Sequence, residues 1–153
     1  MIKLYRSDTS VSSRELLLQA AKELCGCEDA EILLSDSGKP YFVGLDIKFS
    51  VSHSGERMIA AVSDREIGAD IQIKKPMRDG VARRFFTEKE QEYVFSAVSL
   101  SERQDRFYEI WTKKEAYGKW KGCGLSGVLS VDVTSLTFYT EDDGEYALAI
   151  YEE

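Results

Sequence analysis

The pattern of apolar and polar positions predicts a strand at the start of the chain and a helix soon after it. The segment MIKLYRSD alternates as a strand does, and the apolar residues that follow recur at helical spacing. These apolar residues are Leu16, Leu17, Ala20, Ala21 and Leu24. Ser12 or Ser13 can accept a hydrogen bond from the free N–H groups of the first turn, and Gly26 can end the helix. We therefore expect an amphipathic helix over SRELLLQAAKELCG.

Short strands separated by turns are predicted over the next part of the chain. The segment AEILLSDSGKPYFVG fits a strand broken by a turn at residues 36–38, and Pro40 keeps Lys39 in extended geometry. The segment IKFSVSHSGERMIAAVSDREIGADIQI fits consecutive strands with turns at residues 54–55 and 64–65. We expect small antiparallel sheets in this part of the molecule.

Helical character follows over DGVARRFFTEKEQEYVFSAVSLSERQDRFYEIWTKKEAYGKWKG, where Thr87-x-x-Glu90 and Ser101 mark helix starts. The segments VLSVDVTSLTFYT and EYALAIYEE, separated by residues 141–144, then predict a hairpin. Neither a low-complexity linker nor a clear repeat interrupts the pattern. The predicted fold class is α+β, in a single domain over residues 1–153.

Composition adds limits on function. The 153 residues are 43% hydrophobic and 31% charged, as in an ordered globular protein, and the net charge is −7. This charge disfavours general attraction to nucleic acid or an anionic membrane, so any phosphate ligand needs a local basic pocket. With neither a signal peptide nor an apolar span, we expect a cytoplasmic protein. The three cysteines suit neither a disulfide framework nor a zinc site.

The predicted helix over WTKKEAYGK carries Trp111, Glu115 and Lys119 on one face, because they stand four residues apart. A docked tryptophan beside a surface Glu–Lys pair would explain this stripe by itself. The strand GADIQ adds a second observation, since alternation directs Asp70 and Gln72 to one side. Together with Glu115, these side chains would supply the oxygen ligands that Mg²⁺ prefers alongside substrate phosphates.

The segment FSVSHSG contains the only histidine, His53. Strand alternation places Phe49 and Val51 on one face and Ser50 and Ser52 on the other. A lone histidine is more often a packed or surface residue than a functional one. The serines on both sides of His53 could nevertheless donate hydrogen bonds to a phosphate.

Five segments together resemble the 4′-phosphopantetheinyl transferases. They are GKP, FSVSHS, IGADIQ, RRFFTEKE and WTKKEAYGKWKGCGL. The specific part is W-T-x-K-E-A-x-x-K downstream of G-x-D and R-F-F-[ST]-x-x-E. The order and spacing are similar to those of the larger, surfactin-synthetase-activating type, in a shortened form. That type implies two similar lobes, each with helices packed on a small antiparallel sheet, here about 1–66 and 67–153.

The resemblance implies a reaction and its partners. The phosphopantetheine arm of coenzyme A would pass to a serine of an apo acyl or peptidyl carrier protein, with Mg²⁺ as cofactor and 3′,5′-ADP as the second product. The attacking serine must lose a proton, and either Glu115 or a water on the metal could accept it. A module that binds coenzyme A or a nucleotide without transferring anything is the alternative, and a plain α+β interaction domain is a further one.

The resemblance also implies a role for individual residues at the metal. Asp70 and Glu115 match the metal-binding carboxylates of the family, and Lys119 matches the lysine at the pyrophosphate. Many relatives have D-x-E where this chain has Asp70 and Gln72, so a neutral amide replaces one negative metal ligand. Looser metal binding is the expected consequence unless the substrate pyrophosphate completes the coordination.

Other matching positions are implied to bind coenzyme A. They are Lys39, Pro40, Ser52, His53 and Lys114, with His53 near the 3′-phosphate. Glu90 fits the acidic position of the R-F-F motif. Only 37 residues precede GKP, so Lys3 or Arg6 would have to replace basic groups that larger relatives place upstream.

A carrier protein also needs a docking surface. The family's carrier proteins are acidic, which makes the basic and apolar residues near R-F-F candidates for contact. These residues are Arg78, Arg83, Arg84, Phe85 and Phe86. The alternative is that the phenylalanines belong to the core and the arginines are only solvated.

Overall fold

The computed structural model describes residues 1–153 as eight strands, four α-helices and two short 3₁₀ helices. The strands are β1 (Lys3–Asp8), β2 (Ile32–Leu34), β3 (Pro40–Phe42), β4 (Lys48–Ser54), β5 (Arg57–Ser63), β6 (Ile67–Ile73), β7 (Tyr139–Asp142) and β8 (Tyr146–Glu152). The first sheet has the order β1-β5-β4, a two-stranded ribbon pairs β2 with β3, and the second sheet has the order β6-β8-β7. All strand pairs are antiparallel.

The α-helices are α1 (Ser13–Cys25), α2 (Asp79–Phe85), α3 (Glu88–Phe95) and α4 (Leu100–Lys121), and the 3₁₀ helices are Leu125–Val128 and Val133–Ser135. Helix α1 follows β1, and the other helices lie between β6 and β7. None of these helices is both long and apolar enough to cross a membrane. Helices combined with small antiparallel sheets confirm the predicted α+β class.

Helix boundaries follow local capping chemistry. The Ser12 hydroxyl accepts the Glu15 N–H at 3.1 Å, and Gly26 ends α1 with a φ of 68°, as predicted. Thr87 caps α3 in the same way. The predicted start of α4 at Ser101 is wrong, because Ser99 accepts the Glu102 N–H and the helix begins two residues earlier.

The two sheets pack face to face through the alternation of β5. Ala60 and Val62 point to α1, whereas Ile59 and Ala61 point to the second sheet. There they meet the inward side chains of β6 and β8, which are Ile67, Ala69, Ile71, Tyr146, Leu148 and Ile150. The result is a layered molecule in which α1 covers the first sheet and the second sheet lies behind it.

The other face of the second sheet is covered by the helices. A buried cluster joins Ala147 of β8 to Phe86, Phe107 and Ile110. Since Ile67, Ala69 and Ile71 face the first sheet, the residues between them on β6 must face α4. These residues are Gly68, Asp70 and Gln72, so the alternation places both polar side chains of β6 against the helix layer.

The predicted C-terminal hairpin exists, but its first strand starts later than the sequence pattern indicates. Strand β7 covers only Tyr139–Asp142, and the preceding segment forms two 3₁₀ turns. The backbone of that segment has partners elsewhere: the carbonyl of Val131 accepts from Lys114, and the N–H of Val133 donates to Glu90. The buried side chains of Lys114 and Glu90 therefore satisfy backbone groups that would bond to a neighbouring strand if this segment were itself a strand.

The two three-stranded sheets occupy different parts of the chain. The first sheet and α1 lie within residues 3–63, and the second sheet and the other helices lie within residues 67–152. A division into lobes of about 1–66 and 67–153 is compatible with this arrangement and stays a proposal.

Candidate functional site

Helix α4 lies directly on strand β6 because glycines leave room for it. A Cβ atom on Gly68 would come within 1.9 Å of the Ala116 carbonyl oxygen and 2.4 Å of the Trp120 nitrogen. A Cβ atom on Gly118 would lie 2.7 Å from the carbonyl oxygen of Gly124. No side chain fits at either contact, so Gly68 sets the distance at which α4 presents its polar residues to β6, and Gly118 lets the segment at Gly124 approach α4.

Asp70 is the centre of the polar cluster between β6 and α4. It is only 2% exposed, and its two oxygens accept hydrogen bonds from three side chains. Oδ1 accepts from Lys119 Nζ and from Ser52 Oγ, each at 3.0 Å, and Oδ2 accepts from Gln72 Nε2 at 3.0 Å. The donors come from three different elements, so the orientation of this carboxylate is determined by tertiary structure.

Glu115 projects from α4 toward the same cluster. It has no ion-pair partner of its own, and it is half-buried. Burial raises the pKa of Glu115, the Asp70 carboxylate raises it further, and Lys119 acts in the opposite direction. Two carboxylates thus lie close enough to repel each other, with one lysine between them and no third acidic, histidine or cysteine side chain to complete a metal cluster.

Lys119 also joins the two sheets. Besides Asp70, its ammonium group donates to the Ala69 carbonyl at 3.1 Å and the Val51 carbonyl at 3.4 Å. These carbonyls belong to β6 and β4, the adjacent edges of the second and first sheets. About a third of the Lys119 side chain is exposed, so an anionic ligand can reach it from solvent.

A cleft of about 520 Å³ opens beside this cluster, between the ribbon and the end of α4. Its lining includes Lys39, Pro40, Lys48 and Lys121. A smaller cavity of about 250 Å³ shares Lys39 and Pro40 with the cleft and extends to Lys119. The structure therefore brings these two predicted coenzyme A residues into one continuous depression with the predicted pyrophosphate lysine.

Two residues of the cleft, Glu66 and Lys121, were not predicted from the sequence. Lys39 donates to Glu66 Oε2 at 2.8 Å and to the Trp120 carbonyl at 3.1 Å. Glu66 is an ordinary charged residue of a turn, and only the fold brings it to Lys39. Lys121 had a weak signal, because GKWKG places it two residues after Lys119.

His53 lies apart from the buried cluster. It is exposed on β4, and the strand alternation directs it to the face opposite Ser52. Ser52 points inward to Asp70, so these two predicted coenzyme A residues do not share a face. Arg6, the suggested basic substitute, pairs with Glu141 at 2.5 Å.

Lys114 lies in a different environment from that implied by the resemblance. Its side chain is 0% exposed, and its ammonium group donates to Glu90 Oε1 at 2.7 Å and to the carbonyls of Val131 and Leu129 at 2.9 and 3.4 Å. Three acceptors use its three N–H donors, as for Lys119, but Lys119 is a third exposed. Because the side chain is also wholly buried, coenzyme A cannot reach Lys114, and the residue joins α4 to α3 and the 3₁₀ segment.

The residues suggested as a docking surface for a carrier protein differ in how far they are buried. Phe86 is buried, with its ring 5.3 Å from that of Phe107, so the core alternative holds for this residue. Phe85 is half-buried against Trp111, with ring centroids 5.9 Å apart. Arg84 lies over the Phe85 ring at 5.1 Å, so this part of the surface combines a cation with an accessible aromatic edge.

Comparison with known proteins identifies the family of the chain. The family model of the 4′-phosphopantetheinyl transferase superfamily matches residues 66–153. The chain therefore belongs to the 4′-phosphopantetheinyl transferase superfamily. The matched residues contain the whole second sheet, α4 and the Asp70–Glu115–Lys119 cluster.

Individual relatives resemble most of the chain. A 4′-phosphopantetheinyl transferase of Bacillus subtilis is 33% identical over 138 residues, which cover 88% of this chain and 59% of that protein. The 4′-phosphopantetheinyl transferase Sfp of Bacillus subtilis (strain 168) is 34% identical over 123 residues, covering 80% and 53%. The 4′-phosphopantetheinyl transferase AcpT of Escherichia coli (strain K12) is 33% identical over 108 residues, covering 68% and 55%. The chain spans about half the length of the curated relatives it matches.

Proposed function

We propose that this protein transfers the 4′-phosphopantetheine arm of coenzyme A to a serine of an apo acyl or peptidyl carrier protein, in a Mg²⁺-dependent reaction that releases 3′,5′-ADP. The observation that carries the proposal is the convergence of Asp70, Glu115 and Lys119 beside a basic cleft. The superfamily of the chain and its similarity to 4′-phosphopantetheinyl transferases support the same class of reaction.

The side chains present fit a magnesium ion. Mg²⁺ in phosphoryl-transfer sites is held by one or two carboxylates and by substrate phosphates, and Asp70 and Glu115 supply that number. Burial and the neighbouring Asp70 carboxylate raise the pKa of Glu115, and a bound cation would lower it. When bound, the ion would neutralise charge on the phosphate oxygens of coenzyme A.

Gln72 acts on Asp70 in this proposal and not on the metal. Its amide nitrogen donates to Asp70 Oδ2 at 3.0 Å, which directs its donor group toward the carboxylate. The opposite amide orientation would place two oxygens against each other. Gln72 therefore helps to orient the carboxylate that binds the ion.

The chain's own residues account for the remaining steps. Lys39 and Lys119 bind the negative charges of coenzyme A in the shared cavity, and Lys119 stabilises the leaving phosphate. Glu115 accepts the proton of the carrier serine, because it is the half-buried carboxylate of the site that has no ion-pair partner of its own. The serine oxygen then bonds to the phosphorus that carries the pantetheine arm, and the bond from that phosphorus to the leaving 3′,5′-ADP breaks with its electron pair.

Intact-mass analysis of several apo carrier proteins, incubated with this protein, coenzyme A and Mg²⁺, tests the proposal. We expect a gain of one phosphopantetheine arm that is lost with a chelator and with Glu115→Ala. Glu102→Ala is the matched control, because Glu102 lies exposed on the same helix and pairs only with Arg106. Wild-type rates with Glu115→Ala would contradict the proposed site.

A binding module without transfer activity is the second candidate. It is favoured by the ion pair between Lys119 and Asp70, which already neutralises one of the two carboxylates. Thermal stabilisation by coenzyme A, without a mass gain on any carrier, would support the module. If coenzyme A gives neither a mass gain on a carrier nor thermal stabilisation of the protein, both candidate functions are wrong.

A further inference from the structure

We propose that Ser52 is a positioning residue, whose hydroxyl group orients the Asp70 carboxylate for its cation and has no proton left to donate to coenzyme A. This inference rests on the proposed function, because it concerns the metal affinity of the same site. It differs from the role implied by the family resemblance, in which the matching serine meets the nucleotide. The adjacent edges of the two sheets meet along a seam between strands β4 and β6.

Serine side chains replace backbone pairing along this seam. The hydroxyl oxygens of three serines on β4 accept the N–H groups of three alternate residues on β6 at 3.0, 3.1 and 3.0 Å. The pairs are Ser50 with Ala69, Ser52 with Ile71 and Ser54 with Ile73. Each hydroxyl satisfies an edge N–H group that has no main-chain acceptor on β4.

Among these three serines, only Ser52 continues the hydrogen-bond chain to a carboxylate. A backbone N–H can only donate, so the Ser52 oxygen must be the acceptor in its bond with Ile71. The single hydroxyl proton is then available to Asp70 Oδ1, which lies 3.0 Å away. The direction of both hydrogen bonds is determined, and the hydroxyl has no second proton for a phosphate.

This arrangement matters most when substrate binds. Lys119 is the other donor to Asp70 Oδ1, and its side chain, about a third exposed, is the one that coenzyme A attracts. Ser52 is buried at 8% exposure, so its hydrogen bond stays with Oδ1 when Lys119 turns to the phosphate. Ser52 thereby keeps the carboxylate in one orientation while the charges around it change.

The test measures metal binding separately from activity. Purified protein is titrated with Mn²⁺ alone, and free Mn²⁺ is followed by electron paramagnetic resonance. We expect Ser52→Ala to bind Mn²⁺ about tenfold or more weakly than wild type, as for other residues that orient metal ligands. Ser50→Ala is the matched control, because it also removes an acceptor from the seam but makes no contact with Asp70. It should bind Mn²⁺ nearly as tightly as wild type.

Further variants separate this role from damage to the fold. Ser52→Thr keeps the hydroxyl and should restore Mn²⁺ binding. Ser52→Cys replaces it with a weak donor of similar size, and it should also bind Mn²⁺ weakly even if the alanine variant unfolds. In transfer assays, Ser52→Ala should raise the Mg²⁺ concentration that gives half-maximal rate while the KM for coenzyme A stays unchanged.

The Mn²⁺ measurements distinguish a failure of the positioning role of Ser52 from a failure of the proposed function. Unchanged Mn²⁺ binding in Ser52→Ala together with a raised KM for coenzyme A would overturn the positioning role and support a nucleotide contact. This result would leave the proposed function intact, provided that Asp70→Asn abolishes Mn²⁺ binding. If wild type and Asp70→Asn bind Mn²⁺ equally poorly, the metal site of the proposed function fails, and the role of Ser52 fails with it.

Discussion

The residue with the largest single effect on stability is expected to be Lys114, which is charged and wholly buried. Its partner Glu90 is equally buried, and Glu90 also accepts the N–H groups of Thr87 and Val133 at 2.8 and 2.9 Å. Burying two charges costs free energy that their attraction and these hydrogen bonds only offset. The cost of removing one partner is much higher, because the other charge then stays in the interior alone.

We predict that Lys114→Met lowers the free energy of unfolding by about 3–5 kcal/mol. The double variant with Glu90→Gln should recover much of this loss, because no uncompensated charge remains. Urea unfolding of both variants measures the difference. A Lys114→Met variant as stable as wild type but with weaker coenzyme A binding would restore the role that the family motif implies for this lysine.

At the scale of elements, the contact between α4 and β6 creates the site. The helix carries Glu115 and Lys119, and the strand carries Asp70, so their separation depends on how closely helix and strand approach. Gly68 has no side chain to hold them apart, and any larger residue would push against the backbone of α4. Backbone atoms cannot swing away as a flexible side chain can, so the strain would move the whole helix.

We predict that Gly68→Ala destabilises the protein by about 1–3 kcal/mol or more and reduces transfer activity beyond this loss. Gly80→Ala is the control, since Gly80 lies in α2 with nothing within 4 Å of an added Cβ atom. That change should be neutral or stabilising by up to about 1 kcal/mol. Thermal unfolding and carrier modification below the melting temperature test both variants. Equal behaviour of the two would show that the close contact does not limit the site.

At the scale of the whole molecule, ion pairs at one end connect the two three-stranded sheets. Arg57 of β5 pairs with Asp143 in the turn between β7 and β8, and it also lies over the Tyr146 ring at 4.0 Å. Arg6 of β1 pairs with Glu141 of β7. Hydrogen bonding from Arg57 lowers the pKa of Asp143 to about 2, and backbone N–H groups contribute to this shift.

The pH dependence follows from the sign of this shift. A carboxyl group whose pKa is lower in the folded state stabilises the protein above its unfolded pKa, and this stabilisation is lost as the pH falls through the folded value. For Asp143 the loss runs from about pH 4 down to about pH 2. Because the pair is exposed to solvent, its contribution is small and screened by salt.

We predict that Asp143→Asn is less stable than wild type at neutral pH by at most about 1 kcal/mol. Asparagine keeps an acceptor for the turn N–H groups of Glu145 and Tyr146, so the change mainly removes charge. The difference should vanish near pH 2 and shrink in high salt, as followed by chemical unfolding. Asp46→Asn is the control, because Asp46 has no ion-pair partner. A difference that persists at pH 2 would assign the effect to the turn and not to the ion pair.

Local chemistry made much of the fold predictable from the sequence. Caps such as Ser12 and Thr87 act on N–H groups within the next turn, and Gly26 ends its helix through its own backbone angles. The alternation of β6 similarly required Asp70 and Gln72 to share a face, and the structure shows a hydrogen bond between them. These features depend on residues a few positions apart, so the order of residues was enough to determine them.

Contacts between distant segments decided the rest. The inward direction of the Ser52 hydroxyl, the burial of Lys114 and the pairing of Lys39 with Glu66 each join residues at least 18 positions apart. Lys114 and Lys119 occupy one helix and one motif, but packing buries the first and leaves the second partly exposed. A sequence motif states which charges are present, whereas only the packed structure determines which of them water and ligands can reach, because burial depends on every neighbouring element at once.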